Sequence, residues 1–171
     1  DDDPRFDFGE DGGMDDKLLF HVAILVADID VAIRDFGRAL GVTFHPPIRA
    51  EFSRLEDPDA HASFCRCTYS KDGPPHIELI EANGDGLFSI HHGEGVHHLG
   101  FWTDDPEARC SFLADAGIRT GARTVGTDGV TYSWFNDPKD IHGVRLEYLN
   151  TAQREVAEQW MKTGHLGPTR L

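Results

Sequence analysis

Short runs of alternating apolar and polar residues fill this chain, interrupted by two stretches of helical period, and the order of the runs repeats. Residues 18–41 read LLFHVAILVADIDVAIRDFGRALG: an apolar strand, an Asp-bounded helix and a Gly stop. Residues 96–117, VHHLGFWTDDPEARCSFLADAG, follow the same plan. Setting His21 on His98 places Val22 on Leu99, Ala23 on Gly100, Ile24 on Phe101 and Asp28 on Asp105. One gap then brings Gly41 onto Gly117. The first helix is expected to bury Ile29, Ile33, Phe36 and Leu40, with Asp28 or Asp30 as its N-cap. The second opens on Asp105 as cap with Pro106 in its first turn, and turns Ala108, Phe112, Leu113 and Ala116 inward.

Strand-forming runs follow each helix, near 43–55, 62–70 and 76–82 in the first copy and near 118–125, 129–136 and 144–149 in the second. The copies close on matching patterns, His76-Ile-Glu78-Leu-Ile80 and Arg145-Leu-Glu147-Tyr-Leu149. The predicted fold class is α+β, two tandem βαβββ modules over 17–82 and 96–150 joined by a linker at 83–95. Together they make a single domain over 17–150, and residues 151–171 add a C-terminal helix and an extended tail. That helix turns Val156, Trp160 and Met161 inward.

Composition adjusts this picture in two places. The formal net charge of the 171 residues is −14, and residues 1–16 alone hold eight acids and one base. This Gly-rich stretch has little to bury, so it is expected to be a disordered acidic leader or appended residues, with Met14 a candidate native start. An acidic surface lacks the basic footprint of a nucleic-acid binder. The chain contains no run of 18 apolar residues, which argues against a membrane span, and no signal segment opens it. Cys65, Cys67 and Cys110 form no C-x-x-C motif, and a reduced, cytoplasmic setting is the expectation.

Candidate chemistry sits at repeat-equivalent positions: His21 and His98 on the first strands, Glu78 and Glu147 on the last. Glu is depleted in strands and costly to bury unpaired, yet here each Glu sits inside an apolar run. A metal ion satisfies two such carboxylates at once. Imidazole plus carboxylate suits Co, Ni, Zn, Mn or Fe(II) rather than Ca. His97 competes with His98 and Glu81 with Glu78; strand parity and the repeat alignment select His98 and Glu78. His91 and His92 read as solvent-loop residues, while His76 and His142 are candidate cavity groups. Phe101, Trp102, Trp134 and Phe135 lie near the expected site. Of these Phe101 and Trp134, together with His142 and Arg66, are the candidate substrate-pocket residues.

Paired βαβββ modules with His on each first strand and Glu on each last strand resemble the vicinal oxygen chelate superfamily. That group includes glyoxalase I, extradiol dioxygenases and bleomycin-resistance proteins. The motifs carrying the resemblance are FHVAILVADIDVAIRDFGRALGVTF, HIELIE, GVHHLGFWTDD and GVRLEYL. The resemblance implies a cup of curled sheet around a divalent metal held by His21, Glu78, His98 and Glu147. It also implies catalysis by Glu147 and Glu78. The pattern is most similar to the methylmalonyl-CoA epimerase-like members. For them the implied reaction is proton abstraction next to a metal-chelated carbonyl through an enediolate. The implied substrate is a small carbonyl compound, an acyl-CoA among the candidates, and the implied assembly is a homodimer. Alternatives within the family are a glyoxalase I-type lyase, an Fe(II) dioxygenase and a non-catalytic, resistance-type binder. Leu25 and Ala82 stand where glutathione-dependent glyoxalases carry Arg and Asn, which counts against glutathione.

Overall fold

The computed structural model describes residues 19–166; the acidic stretch 1–16 and the end of the tail, 167–171, lie outside them. The first module runs β1 (Leu19–Val26), α1 (Ile29–Leu40), β2 (Ile48–Glu56), β3 (Ala60–Tyr69) and β4 (His76–Glu81). The second runs β5 (Gly95–Thr103), α2 (Pro106–Asp115), β6 (Thr120–Val125), β7 (Thr131–Asn136) and β8 (Leu146–Asn150). A 3-10 turn at Thr151–Gln153 then leads into α3 (Arg154–Thr163). No helix among the described residues is long and apolar enough to cross a membrane.

Each module begins and ends on a parallel pair, β1 with β4 and β5 with β8. The modules join where β1 runs antiparallel to β5, setting His21 opposite Gly100 and Ala23 opposite His98. On the far side β2 pairs with β6 through Arg54–Glu56 and Arg123–Val125, which closes the sheet into an eight-stranded barrel. The Arg123 guanidinium bonds the Glu56 carboxylate across this seam and holds that carboxyl below its ordinary pKa.

The helices lie outside the barrel. Asp28 caps α1, its carboxylate accepting the Asp30 and Val31 N–H groups at 3.0 and 2.9 Å. Glu81 accepts the Ile29 N–H at 3.2 Å, so the rejected competitor of Glu78 works on the outer face, at the helix start. Gly41 ends α1 at φ 72°, a left-handed position that suits Gly. Ile29 and Ala32 pack on Leu79 and Val26, whereas Leu40, expected inside, is 56% exposed. Asp105 caps α2 as expected, but of Ala108, Phe112, Leu113 and Ala116 only Leu113 is buried. The reason is the surface that α2 covers: Trp134 and Tyr148 stand side by side there with tilted rings, and the Arg109 guanidinium lies 5.3 Å above the Tyr148 ring. These large aromatics fill an interface that the pattern assigned to apolar side chains of the helix.

Inside the barrel the core joins Leu25, Leu55, Cys65, Cys67, Ile80 and Phe135 to Trp160 of α3. The start of the second strand is later than the pattern suggested; residues 43–47 are not strand apart from a bridge between Phe44 and Ser70. His45 in this stretch instead bonds the Met161 carbonyl at 2.8 Å and ties down the end of α3.

Asp28→Ala removes an acceptor serving two helix N–H groups and is expected to cost about 1 kcal/mol. Urea unfolding of the variant, read as a shift of midpoint without a change of slope, measures it.

Candidate metal centre

Strand geometry explains why four distant residues meet. Within each parallel pair the strand ends lie at the same level, and the β1/β5 junction sets the two modules face to face. His21, Glu78, His98 and Glu147 all face the barrel interior, and all are buried. The Nε2 atoms of His21 and His98 are 2.9 Å apart. Glu78 Oε2 lies 3.3 Å from His21 Nε2 and 3.5 Å from His98 Nε2, and Glu147 Oε2 lies 3.1 and 3.0 Å from the same two nitrogens. Donors placed about 2.1 Å from one ion stand about 3.0 Å apart along octahedral edges and about 3.4 Å apart along tetrahedral edges. The observed separations match that range. His21, Glu78 and His98 form a cluster that could hold a metal ion, and Glu147 adds a second carboxylate from the other module.

Electrostatics at the cluster follow from burial. Burial alone would lower the basicity of His98, but Glu147 and Glu78 beside it push its pKa up to about 9. Burial would likewise raise Glu147, yet His98 and His21 hold its carboxyl well below the ordinary range. Tyr69, directly opposite Glu78 on β3, is driven up by burial and by the nearby Glu78 and Glu147 carboxylates.

His97 belongs to this centre although strand parity excluded it. In β5 the register slips between Ala23/His98 and Ile24/Val96, leaving His97 as the extra residue of a bulge. The bulge breaks the alternation, and His97 Nδ1 comes to 2.8 Å from His98 Nδ1. His97 Nε2 sits 2.8 Å from the Leu87 carbonyl and 2.7 Å from Arg145 Nη1. Arg145 can only donate and the Leu87 carbonyl only accept, so Nε2 serves one of the two. In the tautomer that donates Nε2–H to Leu87, Nδ1 accepts from His98 Nδ1–H and leaves His98 Nε2 available to a metal. Burial holds His97 at a pKa of about 3, so the ring stays neutral for this role. The paired histidines were visible in the sequence, but a bulge leaves no local pattern there.

Gly100 is a second residue that the repeat comparison passed over. A methyl group at Gly100 would overlap the His21 imidazole on the facing strand. Glycine inside a strand is the signal for such a close approach.

The cluster opens onto a cavity of about 120 Å³ lined chiefly by apolar residues. Glu78, His98 and Glu147 line it, with His21 behind them. The expected pocket residues are elsewhere. Phe101 faces outward against Tyr148, and it is Trp102, in step with His98 and Gly100, that lines the cavity. Trp134 also faces outward, donating its indole N–H to Thr120, while Phe135, paired with Glu147, faces in. Arg66 points away to Asp30 and Glu81 at 2.9 and 3.0 Å, because the alternation that turns Cys65 and Cys67 inward turns it out. His142 is exposed in a left-handed turn after β7. His76 is buried on Phe20 and Tyr69 but borders a different depression. His91 and His92 are exposed on a 3-10 turn.

A family model described as the glyoxalase/bleomycin resistance protein/dioxygenase superfamily matches residues 20–133. The chain is 26% identical over 137 residues to the ethylmalonyl-CoA/methylmalonyl-CoA epimerase of Cereibacter sphaeroides, covering 75% of this chain and 94% of that protein. It is similar to the crystal structure of methylmalonyl-CoA epimerase from Mycobacterium tuberculosis, with a TM-score of 0.57 and 26% identity over 82% of this chain and 91% of that one. A variant of the Streptomyces coelicolor methylmalonyl-CoA epimerase in complex with 2-nitronate-propionyl-CoA shares the fold, with a TM-score of 0.55 at 22% identity. That match covers 78% of this chain and 96% of the other.

His97→Ala is expected to weaken divalent-metal binding about 10- to 100-fold, measured by competition with a chromophoric chelator. Gly100→Ala displaces the His21 ring and should reduce bound metal on dialysis to a small fraction of an equivalent. The far-ultraviolet circular dichroism of that variant should stay that of the parent.

Proposed function

Because this chain belongs to the glyoxalase/bleomycin resistance protein/dioxygenase superfamily, we propose that it is a divalent-metal-dependent isomerase or epimerase that moves a proton at the carbon next to a carbonyl. The observation that carries this reading is the convergence of two imidazole nitrogens 2.9 Å apart with two carboxylate oxygens, each 3.0 to 3.5 Å from both nitrogens, at the end of an apolar cavity. In this reading His21, Glu78, His98 and Glu147 hold the ion. The ion supplies Lewis-acid polarisation of a carbonyl oxygen, which raises the acidity of the neighbouring C–H bond.

The chain's own groups handle the proton. Glu147 is kept ionised by His98 and His21, so it can accept a proton at neutral pH. Glu78 approaches from the other module, with Tyr69 opposite it on β3. A substrate carbon lying between them meets one carboxyl group on each face. Epimerisation needs that arrangement, with removal on one side and return on the other. Apolar walls from Phe20, Trp102 and Phe135 keep water from competing for the proton. The Cereibacter sphaeroides relative is named for thioester substrates, and we extend that class, an acyl-CoA, to this chain as the first to assay. A fourth protein donor leaves fewer positions for a catechol and dioxygen together, which favours proton transfer over an oxygenase.

Purified protein should contain close to one equivalent of Co, Ni, Zn, Mn or Fe, and chelation should abolish turnover that added metal restores. In D2O the loaded protein should exchange the α-proton of methylmalonyl-CoA or ethylmalonyl-CoA. Glu147→Gln should slow exchange roughly 10²- to 10⁴-fold. Less than a tenth of an equivalent of metal, with no recovery on adding any of these ions, would sink the metal reading. Loaded protein inert toward both thioesters would sink the acyl-CoA assignment.

A further inference from the structure

Among the described residues, three buried side-chain polar atoms have no hydrogen-bond partner: His21 Nδ1, Gln153 Nε2 and Trp160 Nε1. Buried N–H groups are nearly always paired, so each exception calls for a physical reason. All three belong to residues at one place. His21 stands behind the metal cluster, and Gln153 and Trp160 line the same cavity from the 3-10 turn and helix that follow β8.

The contrast with the rest of the wall is informative. Thr124 and Ser133 satisfy each other at 2.8 Å, and the Tyr132 hydroxyl donates to Asp128 at 2.8 Å. Gln153 occupies the position before α3, where a side chain commonly caps the helix, yet it makes no cap hydrogen bond. The Trp160 indole carries a donor and no acceptor. Its ring stands edge-on to Tyr69 at 5.0 Å, and the Tyr69 ring lies 5.5 Å from that of His21. Trp160 is therefore one aromatic contact removed from the cluster. Both residues also fall after the stretch 20–133 that matches the family model.

We infer that Gln153 and Trp160 form a substrate subsite that binds an acceptor oxygen, carried a few atoms from the carbonyl that the metal centre engages. This rests on the proposed metal-centred reading and adds to it a substrate class. The substrate class is a carbonyl compound with an apolar stretch followed, a few atoms along, by a second, uncharged acceptor oxygen. The wall supplies no Lys or Arg at that end to pair with an anion. Neutral donors are what the site offers.

Two probes share a vicinal carboxylate–ketone head and differ in one distal oxygen: 2-oxohexanoate and 2,5-dioxohexanoate. Titrated into Co2+-loaded protein and followed by the cobalt absorption bands, the dioxo compound should bind about three- to tenfold tighter per donor engaged. Gln153→Leu and Trp160→Phe should each remove part of that advantage while leaving 2-oxohexanoate binding in place. In protein labelled with 15N at its indoles, the resonance absent from the Trp160→Phe spectrum should move downfield with the dioxo probe alone. Unliganded Gln153→Leu should melt at or above the parent temperature, since an unsatisfied amide has been removed. Equal binding of both probes, or a lowered melting temperature in Gln153→Leu with the preference intact, overturns the subsite and leaves the metal reading standing. Failure of both probes to bind protein that holds its Co2+ overturns the subsite, whereas failure of the protein to take up Co2+ overturns the metal reading and the subsite with it.

Discussion

Two carboxyl groups packed into the apolar interior of one barrel are the constraint on which this structure turns. Glu78 and Glu147 are each less than a tenth exposed. Charged groups removed from water cost several kcal/mol each unless a cation or donors compensate. His98 meets part of this demand, protonated and paired with Glu147 at 3.0 Å. The remainder explains the lattice of short contacts at the β1/β5 junction, where every donor turns toward one point. In the proposed reading a divalent cation at that point would replace the proton on His98 and balance both modules at once, and the burial of acids would be a binding device built at the expense of stability.

The repeat made the centre legible. His21, Glu78, His98 and Glu147 stood out because the same residue types recurred at matched places in two diverged copies, and equivalent strand positions in a closed sheet face the same way. Single-residue arguments did less well. Phe101 and Trp134 were advanced as aromatics near the site, but Trp102 keeps step with His98, and Phe135 pairs directly with Glu147. Period-two counting from the ligands themselves would have selected the inward pair. Arg66 fails for the same reason, standing between two inward cysteines.

His97 and α3 show a different limit. A bulge is one residue out of register with its neighbour strand, and the pairing that reveals it is between segments about seventy residues apart. Parity then gives the wrong face for a sound reason. The extra helix has no counterpart in the repeat, so comparison of the copies is silent on which of its residues meet the cavity. Its amphipathic stripe pointed Trp160 inward, but the unpaired state of the indole nitrogen emerges only once the surrounding walls are in place.

These unrepeated parts bear on how a twofold-like site handles a substrate that is not symmetric. Two modules alone would offer a bound carbon two equivalent carboxyl groups. The bulge in β5 gives His98 a histidine partner that His21 lacks, and His21 Nδ1 has none. Glu147 Oε2 lies 3.1 and 3.0 Å from the two imidazole nitrogens and Glu78 Oε2 slightly farther, at 3.3 and 3.5 Å, with Tyr69 opposite Glu78 on β3. The two carboxyl groups therefore stand in different surroundings, although the strands that carry them are related by the repeat. On one side of the cavity Val156, Ala157 and Trp160 of α3 add a wall that neither module repeats, so in the proposed reading a bound substrate would meet unlike surroundings on its two sides.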